Sequence, residues 1–515
     1  MREVELKLEI RREDAARLLR SPRLRELAEG RPTTRGLRSV YFDTRELALA
    51  QHGMALRVRR DGRRLVQTLK ARGPQRGAHF DRIEYEAVAT SEQPDLALVP
   101  DPEMRARVEE AAAGAALEPV IETLIRRTRR LLRHDHASLE LDLDIGEVRT
   151  ADASQPLCEL ELELREGDPG ALYAVALELL DEVPLRISTI SKADLGYACL
   201  TGVPPAPSKA PAPALAPDAT LDDAIAATVE SCLAHVLANQ VPARLGQDVE
   251  GVHQMRVGVR RLRSALRLFA PALPADGLAA FERELRWLGR ELGRVRDLDV
   301  LGVERLGPLA ERRGDDLALG QLRDAAHAAR GERQTALRAV LDSARYTRLV
   351  LELGRWLARR AWREQPLDPD SARLFAPART LAAELLEARD RKVRSLGEKL
   401  DTLELPDLHR LRIRVKRLRY AAELLGGLYP GRRRDRYALR LAELQDRLGR
   451  LADLATAQRL LGELLERVEP EQRDGCARAA GFVEGWASAD VARATARLPQ
   501  RWERFARSRA FWTQA

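Results

Sequence analysis

Cysteine and aromatic residues are scarce in this sequence of 515 residues. Its four cysteines lie far apart and form no CxxC pair, which argues against a zinc site and against a disulfide framework. Aromatic residues make up 4% of the chain and are not interleaved with its basic segments, so the stacking surfaces that bind single-stranded nucleic acid are lacking. We therefore do not expect a nucleic-acid partner. Electrostatic binding of nucleic acid through its phosphates alone stays open, and such binding would be sensitive to salt.

Long apolar runs and lysine are scarce as well. The N-terminus is charged, and no run reaches the roughly 18 apolar residues of a membrane span. We expect a cytoplasmic protein without a membrane segment. Of the 87 basic residues, 80 are arginine and seven are lysine. Because arginine is enriched throughout the chain, a run of arginines says little about function, and the few lysines carry more information.

Proline concentrates in one stretch, residues 202–219, which holds six of the 27 prolines. Such a stretch holds neither a helix nor a central strand and is typical of a semi-rigid linker. It predicts a first domain over residues 1–201 and a second over residues 220–510. Residues 1–200 contain 32 basic and 36 acidic side chains, so the net charge of +8 comes from the second part, which is expected to attract anions.

The first part reads as α+β and the second as nearly all helix. Alternation of apolar and charged residues predicts strands over 3–10, 54–60, 64–70, 81–88, 139–145 and 158–164. Helical periodicity predicts helices over 13–20, 101–113 and 169–182.

The charged faces of these strands are unusual. Residues 3–10, EVELKLEI, place acid, acid, base and acid on one face, and other strands carry rows that are all acidic or all basic. A solvated face is the simplest interpretation of one such strand, but like charges in a row repel one another. The alternative is a closed antiparallel barrel with a polar interior. A polyanion with a divalent metal would neutralise that interior, because carboxylates bind Mg²⁺ or Mn²⁺ and basic side chains bind phosphate.

The ordered set of motifs resembles the CYTH family, or triphosphate tunnel metalloenzymes, over roughly residues 1–200. It includes ExExK at the start, LRVR, QTLK, RIEYE, LELD, CELELEL and SKADLGY. The resemblance implies an eight-stranded antiparallel β tunnel with covering helices. It implies phosphate contacts from Arg57, Arg59, Lys70, Arg82, Arg127, Arg129 and Lys192. It implies that one or two Mg²⁺ or Mn²⁺ ions are held by Glu3, Glu5, Glu140, Asp142, Glu159 and Glu161. Catalytic roles fall to Lys7 and Glu5; whether Lys7 contacts phosphate or the attacking water stays open.

An internal repeat is the main feature of the second part. HQMRVGVRRLR begins at His253 and HRLRIRVKRLR at His409, 156 residues later, and LGRVRDLD and LGRLADLA repeat with the same offset. On a helix each segment places a histidine and three basic residues on one face, beside an apolar stripe. The rows are His253, Arg256, Arg260 and Arg263, and His409, Arg412, Lys416 and Arg419. A solvated basic face is the simpler interpretation of one row, and its duplication favours anion binding.

This part resembles the CHAD family over roughly residues 218–510. The resemblance implies an all-α domain of two duplicated four-helix bundles with a basic surface that binds inorganic polyphosphate. The domain order resembles bacterial inorganic triphosphatases. We therefore predict metal-dependent hydrolysis of inorganic triphosphate to diphosphate and phosphate, with polyphosphate granules as a suggested location. The alternatives are a non-catalytic polyphosphate-binding protein and a triphosphatase acting on thiamine triphosphate or nucleoside triphosphates.

Overall fold

The computed structural model describes residues 2–71, 80–210, 212–314, 316–364, 366 and 369–513, and it divides into two compact units. The first unit comprises Met1–Pro207, Gln240–Pro242 and Leu341–Ala361. The second comprises Ser208–Asn239, Ala243–Val340 and Trp362–Ala515. Two segments that follow the proline-rich stretch in sequence therefore belong to the first unit.

The described strands all lie in the first unit. They are β1 (Arg2–Ile10), β2 (Ala28–Asp43), β3 (Met54–Asp61), β4 (Arg64–Ala71), β5 (Phe80–Ala89), β6 (Glu118–His134), β7 (Ala137–Arg149), β8 (Ser154–Glu166) and β9 (Leu185–Ile187). The α-helices are α1 (Arg12–Leu19), α2 (Pro22–Leu27), α3 (Ala48–Gln51), α4 (Pro102–Ala112), α5 (Gly170–Glu182), α6 (Lys192–Thr201), α7 (Leu221–Ala238), α8 (Gln240–Leu245), α9 (Val249–Phe269), α10 (Ala275–Asp299), α11 (Gly307–Arg312), α12 (Leu317–Leu341), α13 (Ala344–Ala358), α14 (Pro369–Ala372), α15 (Ala378–Gly397), α16 (Leu405–Leu425), α17 (Arg432–Leu465), α18 (Arg473–Ala496) and α19 (Leu498–Ala506). A π-helical turn, Val300–Leu306, joins α10 to α11. The 3-10 turns are Leu96–Leu98, Ala270–Ala272, Ala361–Arg363, Arg373–Phe375, Leu400–Thr402, Gly426–Leu428 and Pro470–Gln472.

The sheet closes on itself. Its strand order is β5-β4-β3-β2-β6-β7-β8-β1-β9, and β1 also pairs with β5, so eight strands form a ring. The short β9 is added beside β1 at Leu8–Ile10. Every pairing between described strands is antiparallel. The predicted α+β class and the eight-stranded antiparallel tunnel are therefore confirmed.

Alternation decides which face of each strand turns inward. Leu6 and Leu8 of β1 are fully buried. So are the corresponding leucines of the neighbouring strands, Leu139 and Leu141 of β7 and Leu160 and Leu162 of β8. These residues form the outer face of the barrel, against which α5 packs. The alternate, charged side chains therefore point into the barrel. The sequence did not predict β2, because its exposed first half, residues 29–36, shows no alternation.

Helix α13 completes the first unit although it comes late in the sequence. Tyr346 is fully buried, and its hydroxyl donates to Gln240 Oε1 at 2.9 Å. The Gln240 amide in turn donates to the carbonyl of Ile187 in β9 at 2.8 Å. Gly354 lies so close to α5 that an added Cβ would come within 2.2 Å of the Tyr173 ring.

The second unit is helical, and its repeat is visible in the backbone. Both bounds of α16 lie 156 residues after those of α9. The predicted apolar stripes are buried along both helices: Val252, Met255, Val259, Leu262 and Leu266, and Leu408, Leu411, Val415, Leu418 and Ala422. Residues 203–210 and 212–216 contain neither helix nor strand. Ser208 nevertheless hydrogen-bonds Asn239, so this stretch is partly fixed to the second unit. None of the described helices combines the length and apolar character needed to cross a bilayer.

Candidate functional site

The barrel encloses a cavity of about 660 Å³ lined mainly by charged side chains. Eleven of the sequence-predicted site residues line it: Glu5, Lys7, Arg57, Arg59, Lys70, Arg127, Arg129, Glu140, Asp142, Glu161 and Lys192. Glu159 is buried and contacts two of these lysines. Glu3 and Arg82 are partners in the register of β1 and β5, but their side chains lie outside the described residues.

One wall of the cavity carries a cluster of three carboxylates. Oxygen atoms of Asp144, Glu159 and Glu161 all lie within 4.8 Å of one another. The register of β7 and β8 brings them together, since it pairs Asp144 with Glu159 and Asp142 with Glu161. Three carboxylate oxygens this close together are a donor set that could hold a divalent metal ion. Asp144 was missing from the predicted metal ligands, although its alternation with Glu140 and Asp142 marks it as inward-facing.

A second observation supports a cation at this wall. Glu5 is 3% exposed, and its Oε1 has no hydrogen-bond donor among the described residues. A buried carboxylate oxygen without a partner is costly. The divalent metal expected from the sequence therefore fits the donor set, and Glu5, Asp144, Glu159 and Glu161 are the residues that would hold it.

Three cationic side chains reach the carboxylate cluster. Lys192 Nζ lies 2.8 Å from Asp144 Oδ2 and 2.8 Å from Glu161 Oε1, and it also donates to Glu159. Arg127 binds Asp144 through two hydrogen bonds of 2.7 and 2.6 Å and Glu161 through one of 2.8 Å. Lys7 donates to Glu161 and lies 3.6 Å from Glu5.

These contacts set the ionisation of the site. Burial opposes the charge on Glu161, but Lys192, Lys7 and Arg127 outweigh it and hold the pKa of that carboxyl well below its ordinary value. Burial likewise opposes the charge on Lys7, yet Glu161 and Glu5 raise its pKa above the ordinary value. Glu161 and Lys7 are thus each stabilised in the charged form by neighbours of opposite charge.

The opposite wall is mainly basic. Arg57, Arg59 and Lys70 project from β3 and β4, where Glu84 lies 3.0 Å from Lys70 and 3.9 Å from Arg57. The pKa of Arg59 is lowered, first by Arg57 and then by burial, which shows a local excess of positive charge. Arg57 Nε has no hydrogen-bond acceptor among the described residues. Both observations suit a phosphate group.

Glu84, Glu86, Glu163, Arg165 and Tyr41 also line the cavity and were absent from the predicted site residues. The glutamates lie within charged rows that the sequence shows. Tyr41 carries no charge signal, and only the pairing of β2 with β3 places it opposite Arg57.

One end of the cavity is closed by α6. Ser191, Lys192 and Ala193, at the start of this helix, line the cavity. Ala193 is buried in an apolar cluster with Tyr41, Ile121 and Val148. Exposure rises toward the opposite end: the side chain of Asp144 is fully buried, that of Glu163 is 25% exposed and that of Arg165 is 42% exposed. The end of the cavity that holds Glu163 and Arg165, here called its mouth, is therefore the more exposed of the two.

Helix α6 is held firmly. Ser191 caps its first turn together with Asp194. The hydroxyl of Tyr197 donates to Asp43 Oδ2 at 2.9 Å, and Asp43 is fully buried and also accepts three backbone N–H groups at the end of β2. Gly196 packs against Ile121 where no Cβ would fit. These contacts fix the position from which Lys192 reaches the carboxylates.

In the second unit, α9 packs on α16 and the central positions of the two basic rows come together. Lys416 is surrounded by Arg260, Arg412, Arg256 and Arg263; burial and these arginines lower its pKa to about 7. The pKa of Arg256 is lowered too. Burial is the main cause and the positive charges of Arg260 and Arg296 add to it, whereas Asp297 opposes the shift. The cluster is strongly electropositive.

The outer positions of the rows behave differently. Arg263 pairs with Glu282 at 2.8 Å, and Arg419 pairs with Glu423 at 2.7 Å. His409 is exposed. Sequence reasoning missed Tyr420, whose ring lies 5.6 Å from the Arg260 guanidinium and helps to fix it.

Comparisons with known proteins divide the chain in the same way. The CYTH domain pattern matches residues 1–197, and the CHAD domain pattern matches residues 227–462. The chain is 29% identical over 163 residues to an inorganic triphosphatase of Haemophilus influenzae, which covers 31% of this chain and 45% of that protein. It is 30% identical over 297 residues to an uncharacterized protein of Mycobacterium tuberculosis, which covers 55% of this chain and 53% of that protein. The chain thus spans about half the length of these curated relatives.

Among solved structures, the CHAD domain from the plant Ricinus communis is 35% identical to this chain, with a TM-score of 0.51. The match covers 59% of this chain and 98% of that structure. Sequence patterns, relatives and fold agree: the chain is a CYTH-family tunnel domain followed by a CHAD domain.

Proposed function

We propose that this chain hydrolyses inorganic triphosphate to diphosphate and phosphate with the help of Mg²⁺ or Mn²⁺. One observation carries the proposal: a carboxylate cluster that suits a metal and a basic wall that suits phosphate face each other in one enclosed cavity. The similarity to the Haemophilus influenzae inorganic triphosphatase supports the choice of reaction. A protein that only bound phosphate would need the basic wall without the carboxylates.

The geometry supports the following roles for the residues. Phosphoryl transfer needs positioning and charge neutralisation, which Arg57, Arg59 and Lys70 supply on the basic wall. Lys7 and Glu5 are the catalytic residues that we propose, because they lie side by side next to the cluster. When bound, the metal would neutralise phosphate charge and lower the pKa of a water molecule.

The cavity favours an inorganic substrate over a thiamine or nucleoside triphosphate. Two tyrosines line it, but Tyr41 is buried within the apolar cluster at the closed end. Tyr85 packs against the core and donates its hydroxyl to Asp101. Both aromatic rings among the described lining residues are thus engaged with the first unit's own packing.

The test is phosphate release from inorganic triphosphate, ATP and thiamine triphosphate, each with Mg²⁺, Mn²⁺ or EDTA. We expect metal-dependent release, fastest from inorganic triphosphate, and no release in EDTA. Failure to release phosphate from all three substrates with either metal would refute the enzyme function. Faster release from ATP or thiamine triphosphate would keep the chemistry and change the substrate.

The anchor of α6 gives a prediction of its own. Replacing Tyr197 by phenylalanine removes one hydrogen bond to Asp43, which costs about 1 kcal/mol of unfolding free energy. We expect the KM for triphosphate to rise several-fold with a smaller change in kcat, because Lys192 is placed less firmly. The matched control is Tyr437→Phe, which removes a buried tyrosine–aspartate hydrogen bond to Asp390 in the second unit. Equal effects of both variants on KM at equal loss of melting temperature would contradict a positioning role.

We further propose that the helical half binds inorganic polyphosphate. The supporting observation is the crowding of Arg256, Arg260, Arg412 and Lys416 around one surface. Mutual repulsion among these cations is relieved by a polyanion, and nothing in the pattern calls for stacked bases.

This proposal predicts that polyphosphate binding takes up a proton. Lys416, with a pKa of about 7, is mostly neutral at pH 8, and a bound polyanion favours its charged form. Affinity should therefore rise as pH falls from 8 to 6. Calorimetry in buffers of different ionisation enthalpy should show uptake of up to about one proton at pH 8 and little at pH 6 through this lysine. Lys416→Arg keeps the charge at all these pH values and should abolish the uptake at pH 8; uptake that persists in this variant would assign it elsewhere.

A further inference from the structure

Lys192 makes the contacts that a metal ion would make. Its ammonium binds Asp144, Glu159 and Glu161, and these are the three residues whose oxygens are spaced for a divalent cation. The side chain is 7% exposed, so the ammonium and the carboxylates are shielded from water. A divalent ion cannot share this position with an ammonium, because two cations a few ångströms apart in a buried site repel each other strongly.

The other acidic side chains of this wall offer the Lys192 ammonium no simple alternative partner. Arg127 and Lys7 already bind the same cluster. Beyond it, Asp142 is held by two hydrogen bonds of 2.8 Å from Arg129. Glu140 lies between Arg129 and Arg165 at 2.8 and 2.9 Å. A free metal ion that takes the position of the ammonium must therefore displace Lys192, while Asp142 and Glu140 already have cationic partners of their own.

Triphosphate changes this balance. It brings several negative charges and many acceptor oxygens into the cavity, so Lys192 and Arg127 gain new partners and can leave the carboxylates. Each binding event then favours the other, and the coupling is reciprocal.

We propose that Lys192 acts as a tethered counter-ion that keeps the carboxylate cluster closed to free metal until triphosphate draws its ammonium away, so that metal and triphosphate bind together. The inference rests on the proposed triphosphatase function and specifies how its site is loaded. The anchoring of α6 by Asp43 and Ser191 supports it, because the helix start stays in place and only the lysine side chain has to move. Lys192 is thus a gate for the metal as well as a phosphate contact.

The experiment measures Mn²⁺ binding to the full-length protein, with free Mn²⁺ counted by electron paramagnetic resonance. Without an anion, we expect Lys192→Met to bind Mn²⁺ at least about tenfold more tightly than the wild type. In this variant the metal no longer has to break a buried ion pair, and breaking such a pair costs more than the 1.4 kcal/mol to which a tenfold change corresponds. Lys192→Arg keeps the charge and should bind Mn²⁺ as weakly as the wild type. Lys209→Met, an exposed lysine of the proline-rich stretch, removes the same charge and should change nothing.

A second arm adds a non-hydrolysable imidotriphosphate and corrects for the Mn²⁺ that it chelates. We expect the wild type to gain at least about tenfold in Mn²⁺ affinity and Lys192→Met to gain less. Equal Mn²⁺ affinity of the wild type and Lys192→Met without an anion would overturn the proposal. So would a wild type whose Mn²⁺ affinity is unchanged by imidotriphosphate. If both arms behave as expected and no triphosphate is hydrolysed, the gate stands and the proposed reaction fails.

Discussion

Replacing Glu161 by glutamine is expected to lower kcat/KM for triphosphate by about 100- to 1000-fold, the usual effect of losing one preorganised electrostatic contact. Glu161 is the residue on which Lys7, Lys192 and Arg127 converge, and it belongs to the carboxylate cluster. Glutamine keeps the shape but removes the charge that holds these cations in place. Steady-state kinetics with inorganic triphosphate, alongside thermal unfolding, measures the loss and separates it from a loss of fold.

The matched control is Glu163→Gln, on the same face of β8 and two residues nearer the mouth. Its partner Arg165 is 42% exposed, so this ion pair is worth at most about 1 kcal/mol and the variant should lose no more than about fivefold. Two folded variants with equal losses would show that the cavity responds to charge in general, and the central role of Glu161 would be wrong.

Removing Arg256 and Arg412 together should weaken polyphosphate binding by about 100-fold at low salt, because hydrogen bonds to charged groups contribute about 1.5–3 kcal/mol each. Both arginines lie in the cluster that lowers the pKa of Lys416. The dependence of affinity on salt should flatten by about one to two units of logarithmic slope. Binding measured at several salt concentrations gives both quantities for the double variant Arg256→Ala, Arg412→Ala.

Because the chain is rich in arginine, the control must remove two arginines elsewhere. Arg283 and Arg410 have side chains 71% and 65% exposed, and Arg410 lies on the same helix as Arg412. The double variant Arg283→Ala, Arg410→Ala has the same net charge and should lose only a small part of the affinity. If both double variants weaken binding alike, polyphosphate responds to overall charge and the basic rows have no special role.

Much of the tunnel could be predicted from the sequence, because charged and apolar residues alternate along β1, β7 and β8 and mark both faces of each strand. Closure of the ring and the contacts inside it depend on register, which alternation does not give. Asp144 shows the limit: its inward direction is readable, but its distance from Glu159 and Glu161 follows from the pairing of β7 with β8. The bond from Tyr197 to Asp43 joins residues 154 positions apart and leaves no local signal.

The basic rows of the helical half could be predicted from the sequence for a different reason. Two copies of one motif with a constant offset identify the basic rows in spite of the arginine bias, and the buried stripes of α9 and α16 agree with the predicted period. Periodicity states that a helix has an apolar face, but not which surface covers it. For this reason α13 reads like its neighbours in sequence, whereas it packs with α5 in the first unit.

That placement of α13 has a practical consequence for dissecting the protein. The proline-rich stretch is the obvious site at which to cut the chain, and a fragment ending at Pro207 would lack Gln240–Pro242 and Leu341–Ala361, which belong to its own compact unit. The Tyr173 ring would lose its neighbour Gly354, and the backbone of Ile187 would lose Gln240. The first compact unit is therefore encoded discontinuously although its strands are not, and an expression fragment meant to preserve that unit must supply α13 as well, for instance through a short connection that bypasses the other helices.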